Sequence, residues 1–331
     1  MNHLILRNVL ENIDRDECPA CKIMCQLKNL NADEMLRKCQ EGFAPYLFQL
    51  IKKHRSCHGD KLMDKEVSES IAATAKKNYR LLGHYSETRT KQMTAMFLPF
   101  IDITDRYGLL LSRVTLILGN IEPKDTRDIV LRDLMADVFD CLYESRAHVM
   151  SGRLNVAFPV VRRAFESLSL LNLCAIDKSS AENWHNKGER IENAKVRDAL
   201  DKHPFGESKT DTKKLYDFYC LGSHPNRDLI PFRFLGEGNQ FVLGSIGKPN
   251  LWMSCDLCIK ILEMWFWLTA MMSVIYCKIL SAVDEGYDDA YSLTAKDAQE
   301  VGKWLIENFN KVLKEEKEYW DQNPVKTAPD R

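Results

Sequence analysis

The feature that most constrains this fold is an uncharged apolar run, Met264–Cys277, with the sequence MWFWLTAMMSVIYC. Its 14 residues are fewer than the ~20 that a helix needs to cross a bilayer. Glu263 and Lys278 flank the run, and apolar residues at helical spacing continue on both sides, which predicts one long helix over residues 250–283. Three consecutive aromatic residues in the run would point to different sides of this helix. We therefore expect a buried central helix and no membrane segment.

Composition restricts the class of protein. The chain has 331 residues, of which 45% are hydrophobic and 28% charged, values that exclude a disordered chain, a collagen-like fibre and a coiled-coil rod. Lys and Arg total 46 against 47 Asp and Glu, so no overall basic excess points to nucleic acid. The first residues contain no apolar segment of signal-peptide length. Eleven cysteines, several of them within apolar runs, are typical of a reduced, cytoplasmic protein.

Helical periodicity dominates the sequence, so we predict an all-α fold, a helical bundle with one small β-hairpin insertion. The hairpin, near residues 230–245, is indicated by two short apolar runs around a Gly-rich turn. The predicted helices cover about residues 32–53, 65–83, 88–118, 127–151, 153–176, 180–201, 210–221, 250–283 and 294–319. The loop at Glu122–Asp128 suggests three parts: an N-terminal helical region (1–122), a core (123–290), and a C-terminal helix with its tail (291–331).

The most unusual local sequence is Tyr216–Arg227, YDFYCLGSHPNR. A predicted helix ends at Gly222, and Pro225 disfavours the helical conformation for His224. The negative end of a helix stabilises the cationic form of a histidine, so His224 is a candidate general acid or base near neutral pH. The alternative is that His224 only hydrogen-bonds the carbonyl groups at the helix end.

A second candidate group is in the predicted helix 153–176. Arg162 and Glu166 are spaced i,i+4 and share a helix face, and Arg163 is adjacent. An arginine enclosed by apolar neighbours can bind a phosphate or carboxylate with two hydrogen bonds. The alternative is that Arg162 or Arg163 forms a structural ion pair with Glu166.

The order of these features carries a resemblance. The sequence contains, in this order, an Arg-x-x-x-Glu helix, the segment NWHNKGERIENAKVRDAL, the Tyr219–Pro225 turn, a predicted hairpin and a long apolar helix. About residues 127–283 resemble a family of uncharacterised bacterial helical proteins with these motifs, which is distantly similar to the HEPN (higher eukaryotes and prokaryotes nucleotide-binding) domains. The resemblance implies a dimeric, metal-independent ribonuclease of a toxin–antitoxin or antiphage defence system. Such enzymes use an Arg and a His separated by four to six residues.

His224 departs from that pattern, because no Arg precedes it at this spacing. The spacing does occur at Arg197–His203 (RDALDKH). His203 precedes a proline where a helix is predicted to end, so the alternative is that it caps this helix at the surface. Two alternative sets of residues for a ribonuclease site therefore remain. One uses Arg197 with His203, and the other uses His224 with Arg162 or Arg163. Either supplies a proton acceptor and a cation for the charge that develops on the phosphate.

Cysteine spacing suggests a metal site, and the absence of other motifs excludes several enzyme classes. Cys18 and Cys21 form a C-P-x-C pair that, with His54 and Cys57, would suit tetrahedral Zn²⁺, but buried or surface thiols are the alternative. The sequence has no GxGxxG, Walker A, GxSxG or HExxH motif. Dinucleotide enzymes, P-loop ATPases, α/β-hydrolases and zincins are therefore not expected, and we predict no cofactor.

Two functional hypotheses from different classes remain. The chain is either an RNA-cleaving or nucleotide-handling effector, with RNA as its partner, or a non-catalytic helical interaction or regulatory protein with a protein partner. The near-neutral net charge of −1 mildly favours the second, since RNA binding usually uses a basic surface. A locally basic groove is compatible with a neutral total, so the net charge does not decide between the two. A homodimer that pairs through an apolar helix face is expected in both cases.

Overall fold

A computed structural model describes residues 65–187, 192–203, 206–223 and 250–322. The chain divides into two compact units, Met1–Arg80 and Leu81–Arg331. The predicted helix 32–53 and the predicted β-hairpin lie outside the described residues.

Every regular element in the described residues is a helix, which confirms the all-α class. The helices are, in chain order, α1 (Lys65–Met96), α2 (Leu98–Gly119), α3 (Thr126–Met150), α4 (Leu154–Ile176), α5 (Lys178–Lys187), α6 (Asn193–Lys202), α7 (Lys209–Ser223), α8 (Leu251–Ile275), α9 (Cys277–Val283) and α10 (Tyr287–Gln322).

The core of the second unit is built around α8. This helix packs against α2, α3, α4 and α10, and its Trp265 is 1% exposed and meets the ring of Phe139 edge-on at 5.4 Å. Helices α3 and α4 form the most extensive helix pair and are joined by a turn of three residues. Apolar residues at helical spacing form the buried side of α4: Ala157, Val161, Ala164, Phe165 and Leu168. The hydrophobic periodicity of the sequence therefore follows the inner face of this helix.

Helix α8 also bears on the question of a membrane. It is long and apolar enough to cross a bilayer by length and composition alone, which is equally true of many core helices in soluble proteins. Trp265 is buried as predicted, but Trp267 is 58% exposed. The helix is therefore central to the bundle on one side and leaves an apolar face uncovered on the other.

Side-chain caps fix where two of the core helices begin. Asp125 precedes α3 and accepts a hydrogen bond from the backbone N–H of Asp128 at 3.0 Å. Asn250 precedes α8 and accepts from the N–H of Met253 at 3.1 Å. Both side chains satisfy N–H groups that the first turn of a helix leaves without a partner.

A buried polar cluster secures the loop between α2 and α3. The hydroxyl of Tyr276 donates to the Asp128 carboxylate at 2.6 Å. Arg132 donates to the same carboxylate at 3.0 Å and to the carbonyl oxygens of Leu118 and Ile121 at 2.7 and 2.8 Å. These bonds tie the end of α2, the start of α3 and the end of α8 together.

Helix boundaries differ from the prediction in several places. The single helix predicted over 250–283 is wrong, because the chain breaks at Tyr276 into α8 and α9. The predicted break after residue 83 is wrong, because α1 continues to Met96 and the chain turns at Phe97, two residues before Pro99. Proline lacks an N–H and is tolerated in the first turn of a helix, so α2 starts there instead of continuing α1. One helix over 180–201 is also wrong, since Glu192 is extended (φ −66°, ψ 135°) and α6 starts anew at Asn193.

Candidate functional site

The predicted pair of Arg162 and Glu166 is present on α4. The Nε of Arg162 donates to Oε1 of Glu166 at 2.8 Å, and the side chains are 20% and 25% exposed. Arg162 also donates through Nη2 to the hydroxyl of Tyr216 on α7, at 2.7 Å. The guanidinium carbon of Arg162 lies 5.0 Å from the centre of the Tyr216 ring. The pair is therefore enclosed, and it connects α4 to α7.

The surroundings of this pair keep the arginine charged and the tyrosine neutral. Burial disfavours the charge on Arg162, but the hydrogen bond and negative charge of Glu166 outweigh it and raise the arginine pKa. Burial, the hydrogen bond with Cys220 and the charge of Glu166 raise the pKa of Tyr216, against the opposing effect of Arg162. Tyr216 is thus a neutral hydrogen-bonding group at physiological pH.

Arg197 joins the same group from α6. Its guanidinium carbon lies 4.5 Å from the centre of the Tyr216 ring. Among the described residues, Arg197 forms no ion pair within 4 Å; the neighbouring Asp198 pairs with Lys209 at 2.6 Å and interacts with the charge of Arg197 only at longer range. A cation held over a ring without a neutralising carboxylate keeps its N–H groups available for an anion. This distinguishes Arg197 from Arg162.

These side chains border a narrow groove between α4, α6 and α7, here called the α4–α6 groove. Its empty space is about 170 Å³, including the solvent at its mouth, and it is lined by Phe165, Glu166, Ser169, Asn193, Arg197 and Tyr216. Its interior is too narrow for even a water molecule, unlike the ~300–1,000 Å³ pocket that holds a drug-sized molecule. A ligand would therefore contact these side chains only at the mouth of the groove.

The start of α6 also borders the groove. Asn193, the first residue of α6, lines the groove. The preceding residue, Glu192, makes no side-chain capping hydrogen bond. The first turn of a helix carries partial positive charge and N–H groups that suit an anion. Arg197 lies one turn further along the same helix, so both features of α6 favour negative charge.

The other predicted site residues lie apart from this groove or outside the described residues. Arg163 is 68% exposed and pairs with Asp137 of α3, not with Glu166. His203 is half-buried at the C-terminal cap of α6, where its backbone N–H donates to the carbonyl oxygen of Leu200 at 3.1 Å. His224 and the suggested zinc ligands lie outside the described residues. Among described residues, no group of three or more His, Cys, Asp or Glu could hold a metal ion.

The sequence reasoning missed the residue that organises the groove. Tyr216 accepts from Arg162 across 54 positions of the chain and lies beside Arg197 from a third helix. Its place on an amphipathic helix gave no signal that its hydroxyl and ring would meet two arginines. Asn193 and Ser169 were missed for the same reason, since they become neighbours only when three helices pack.

No protein-family model matches this chain, nor does any curated protein or solved structure.

Proposed function

We propose that this chain is a HEPN-like, metal-independent ribonuclease or nucleotide-handling effector of a bacterial defence or toxin system, and that it binds a phosphate of its ligand in the α4–α6 groove. The observation that carries the proposal is Arg197, a cation held over the Tyr216 ring with no carboxylate partner in the described part of the chain. Glu166 lines the same groove. A proton acceptor and an anion-binding cation are the two groups that RNA cleavage without a metal needs.

The proposed reaction is attack of an RNA 2′-hydroxyl on the adjacent phosphorus. The bond between O2′ and phosphorus forms, the bond between phosphorus and O5′ breaks, and a 2′,3′-cyclic phosphate results. The acceptor takes the proton of the 2′-hydroxyl, and the departing 5′ oxygen takes a proton from water or from a protonated side chain. Arg197 stabilises the negative charge on the phosphate, and the acceptor is Glu166 or His224.

Cleavage of end-labelled RNA by the purified chain, with and without EDTA, tests this proposal. We expect EDTA to have no effect, and Arg197→Gln to lower the cleavage rate about 100-fold or more, the usual effect of losing a group that stabilises transition-state charge. The matched control is Arg163→Gln, which removes an arginine that faces Asp137 outside the groove and should leave the rate unchanged. The same RNA with 2′-deoxy sugars should bind but stay intact.

Glu166→Gln and His224→Ala then identify the acceptor. Both variants are compared with the parent chain by circular dichroism, so that a loss of cleavage is not mistaken for a loss of folding. Loss of cleavage in one variant alone assigns the acceptor to that residue. Equal loss in Arg163→Gln and Arg197→Gln would contradict the role of the groove.

The second candidate function is a non-catalytic interaction or regulatory protein. It is favoured by the observation that Arg162 is neutralised by Glu166 and hydrogen-bonded to Tyr216, as expected for an ion pair that holds two helices together. A folded parent chain that neither binds nor cleaves RNA would decide in favour of this candidate.

A further inference from the structure

The side chain of Arg89 on α1 lies against the turn between α3 and α4. Gly152 in this turn has φ +70°, and a Cβ built there would lie 2.7 Å from Cδ and 3.3 Å from Nη1 of Arg89. Any side chain at position 152 would therefore collide with the arginine. The glycine allows the guanidinium to reach the turn, where Arg89 is half-buried.

A second arginine meets the same contact from the other side. Arg153, the residue after Gly152, is exposed and donates through Nη2 to the hydroxyl of Ser86 at 3.2 Å. Ser86 lies three positions before Arg89, so both are on one face of α1. One arginine thus extends from α1 to the turn, and the other extends from the turn to α1.

No carboxylate neutralises these two arginines among the described residues. Neither forms an ion pair within 4 Å there, and Glu87, the nearest acidic residue along α1, is bound to Lys91 at 2.8 Å. Helix α4 has no acidic residue before Glu166, and the last one in α3, Glu144, precedes the turn by about two helical turns. Burial without a counter-charge lowers the pKa of Arg89, but an arginine stays charged at neutral pH because its ordinary pKa is above ~12.

We propose that Arg89 and Arg153 form a second anion site, which binds a phosphomonoester group. A guanidinium presents parallel N–H groups that match the oxygens of a phosphate, and the nearly two negative charges of a phosphomonoester at pH 7 balance the two cations. The site is separate from the α4–α6 groove, because Glu166 follows Arg153 by 13 positions, ~20 Å along a helix.

The unpaired charge of Arg89 distinguishes a binding role from a structural one. A partly buried cation without a counter-ion disfavours folding, and residues retained for binding often lower stability. Arg89→Gln should therefore raise the unfolding temperature in the absence of phosphate. An arginine that only held the turn in place would show the opposite sign.

Thermal unfolding and calorimetric titration of the full chain test the site. All proteins carry Arg197→Gln, which removes the cation of the groove, and chloride keeps the ionic strength constant. Inorganic phosphate and adenosine 5′-monophosphate at several times their dissociation constants should each raise the unfolding temperature by about 2–4 °C, and adenosine should not. Tighter binding of the nucleotide would identify a nucleotide end as the ligand, and equal binding would identify phosphate alone. Either result supports the site.

Substitutions then locate the binding. Arg89→Gln and Arg153→Gln should each weaken phosphate binding about tenfold or more, since each removes a charged hydrogen-bond donor. Arg89→Lys should retain part of the affinity, because it keeps the charge but loses the paired N–H groups. The matched control is Lys91→Gln, which removes a cation of the same helix that is already paired with Glu87. It should leave the affinity unchanged.

Three outcomes would overturn the proposal. The first is a parent protein that phosphate stabilises no more than chloride does. The second is an equal loss of phosphate affinity in Arg89→Gln and Lys91→Gln, which would reduce the effect to net charge. The third is an Arg89→Gln protein that unfolds at a lower temperature without phosphate, together with an Arg153→Gln protein that binds phosphate as the parent does.

Discussion

The carboxylate of Asp128 receives hydrogen bonds from an arginine, a tyrosine and a backbone N–H, the last from Lys124 at 3.0 Å. Burial disfavours its ionisation, but the bonds from Tyr276, Lys124 and Arg132 outweigh burial and hold the Asp128 pKa below its ordinary value. A carboxylate with a lowered pKa in the folded state adds stability above the unfolded-state pKa of ~3.9. That contribution is lost as the pH falls through the folded-state pKa.

Replacing this carboxylate should therefore destabilise the chain at neutral pH. We expect Asp128→Asn to lower the free energy of unfolding by about 2–3 kcal/mol at pH 7, because Arg132 is left partly buried without its counter-ion. The difference from the parent chain should begin to shrink below about pH 4, where Asp128 binds a proton in the unfolded chain, and should be smallest once the pH is below its lowered folded-state pKa. Urea unfolding at a series of pH values measures both effects.

The control for this prediction is another aspartate on the bundle. Asp102 on α2 is exposed, so Asp102→Asn should change the free energy of unfolding by no more than about 0.5 kcal/mol. Equal effects of the two substitutions would show that the Asp128 cluster contributes nothing beyond a surface charge.

Residue-scale prediction from the sequence succeeded where partners are close along the chain. The pairing of Arg162 with Glu166 followed from i,i+4 spacing, because one turn of a helix brings such side chains together. The contact of Tyr276 with Asp128 spans 148 positions and depends on how α8 meets α3. No local pattern encodes such a contact, and the same reason hid Tyr216 from the predicted site.

At the scale of elements, the turn between α3 and α4 depends on one glycine. Gly152 has φ +70°, and a Cβ added there would lie 2.7 Å from Cδ of Arg89. A non-glycine residue is strained at this φ whatever space surrounds it. The turn therefore needs glycine both for its backbone conformation and for the close approach of an arginine side chain.

Alanine substitution at two glycines should give effects of opposite sign. Gly152→Ala should lower the free energy of unfolding by about 1–2 kcal/mol through strain at positive φ. Gly302→Ala, inside α10 and with no atom within 4 Å of the added Cβ, should raise it by about 0.5–1 kcal/mol through helix propensity. Thermal unfolding of both variants measures the sign of each change in the free energy of unfolding. A Gly152→Ala variant more stable than the parent chain would contradict the inference of strain at this position.

Element boundaries were predictable where the sequence carries a local signal. Helix α4 was expected over 153–176 and covers Leu154–Ile176, since apolar periodicity continues until Asp177 and outweighs Pro159, which lies in the second turn of the helix. The predicted break after residue 83 is wrong, since Gly83 lies inside α1 and the break comes at Phe97, two residues before Pro99. Glycine only lowers helix propensity, whereas proline removes a hydrogen bond and blocks the preceding turn.

At the scale of the whole molecule, the unit Leu81–Arg331 buries most of its described cysteines. Cys141, Cys174 and Cys258 are at most 8% exposed, and the described cysteines form no disulfide. Burial raises the pKa of Cys141 to about 11 and that of Cys174 to about 12, each with a smaller contribution from nearby aspartates. Only the thiolate reacts readily with alkylating agents.

Native alkylation should therefore be selective among the described cysteines. Iodoacetamide at pH 7.5 should modify the exposed Cys277 at least about tenfold faster than Cys141, Cys174 or Cys258, since these three combine burial with a raised pKa. In urea the four rates should converge. Peptide mass spectrometry over a time course measures each site, and rapid native labelling of Cys258 would contradict the packing of α8.

The two arginines that meet over Tyr216 have a consequence for how this site can change. Arg162 contacts both the hydroxyl and the face of the Tyr216 ring, whereas Arg197 lies over the face. Loss of the ring would leave Arg197 without the group that it lies over, while Arg162 would keep Glu166, so we expect replacing the tyrosine alone to cost more than replacing it along with Arg197. Across diverging lineages, these three positions should therefore change together, and a sequence that has lost the tyrosine should have lost an arginine as well.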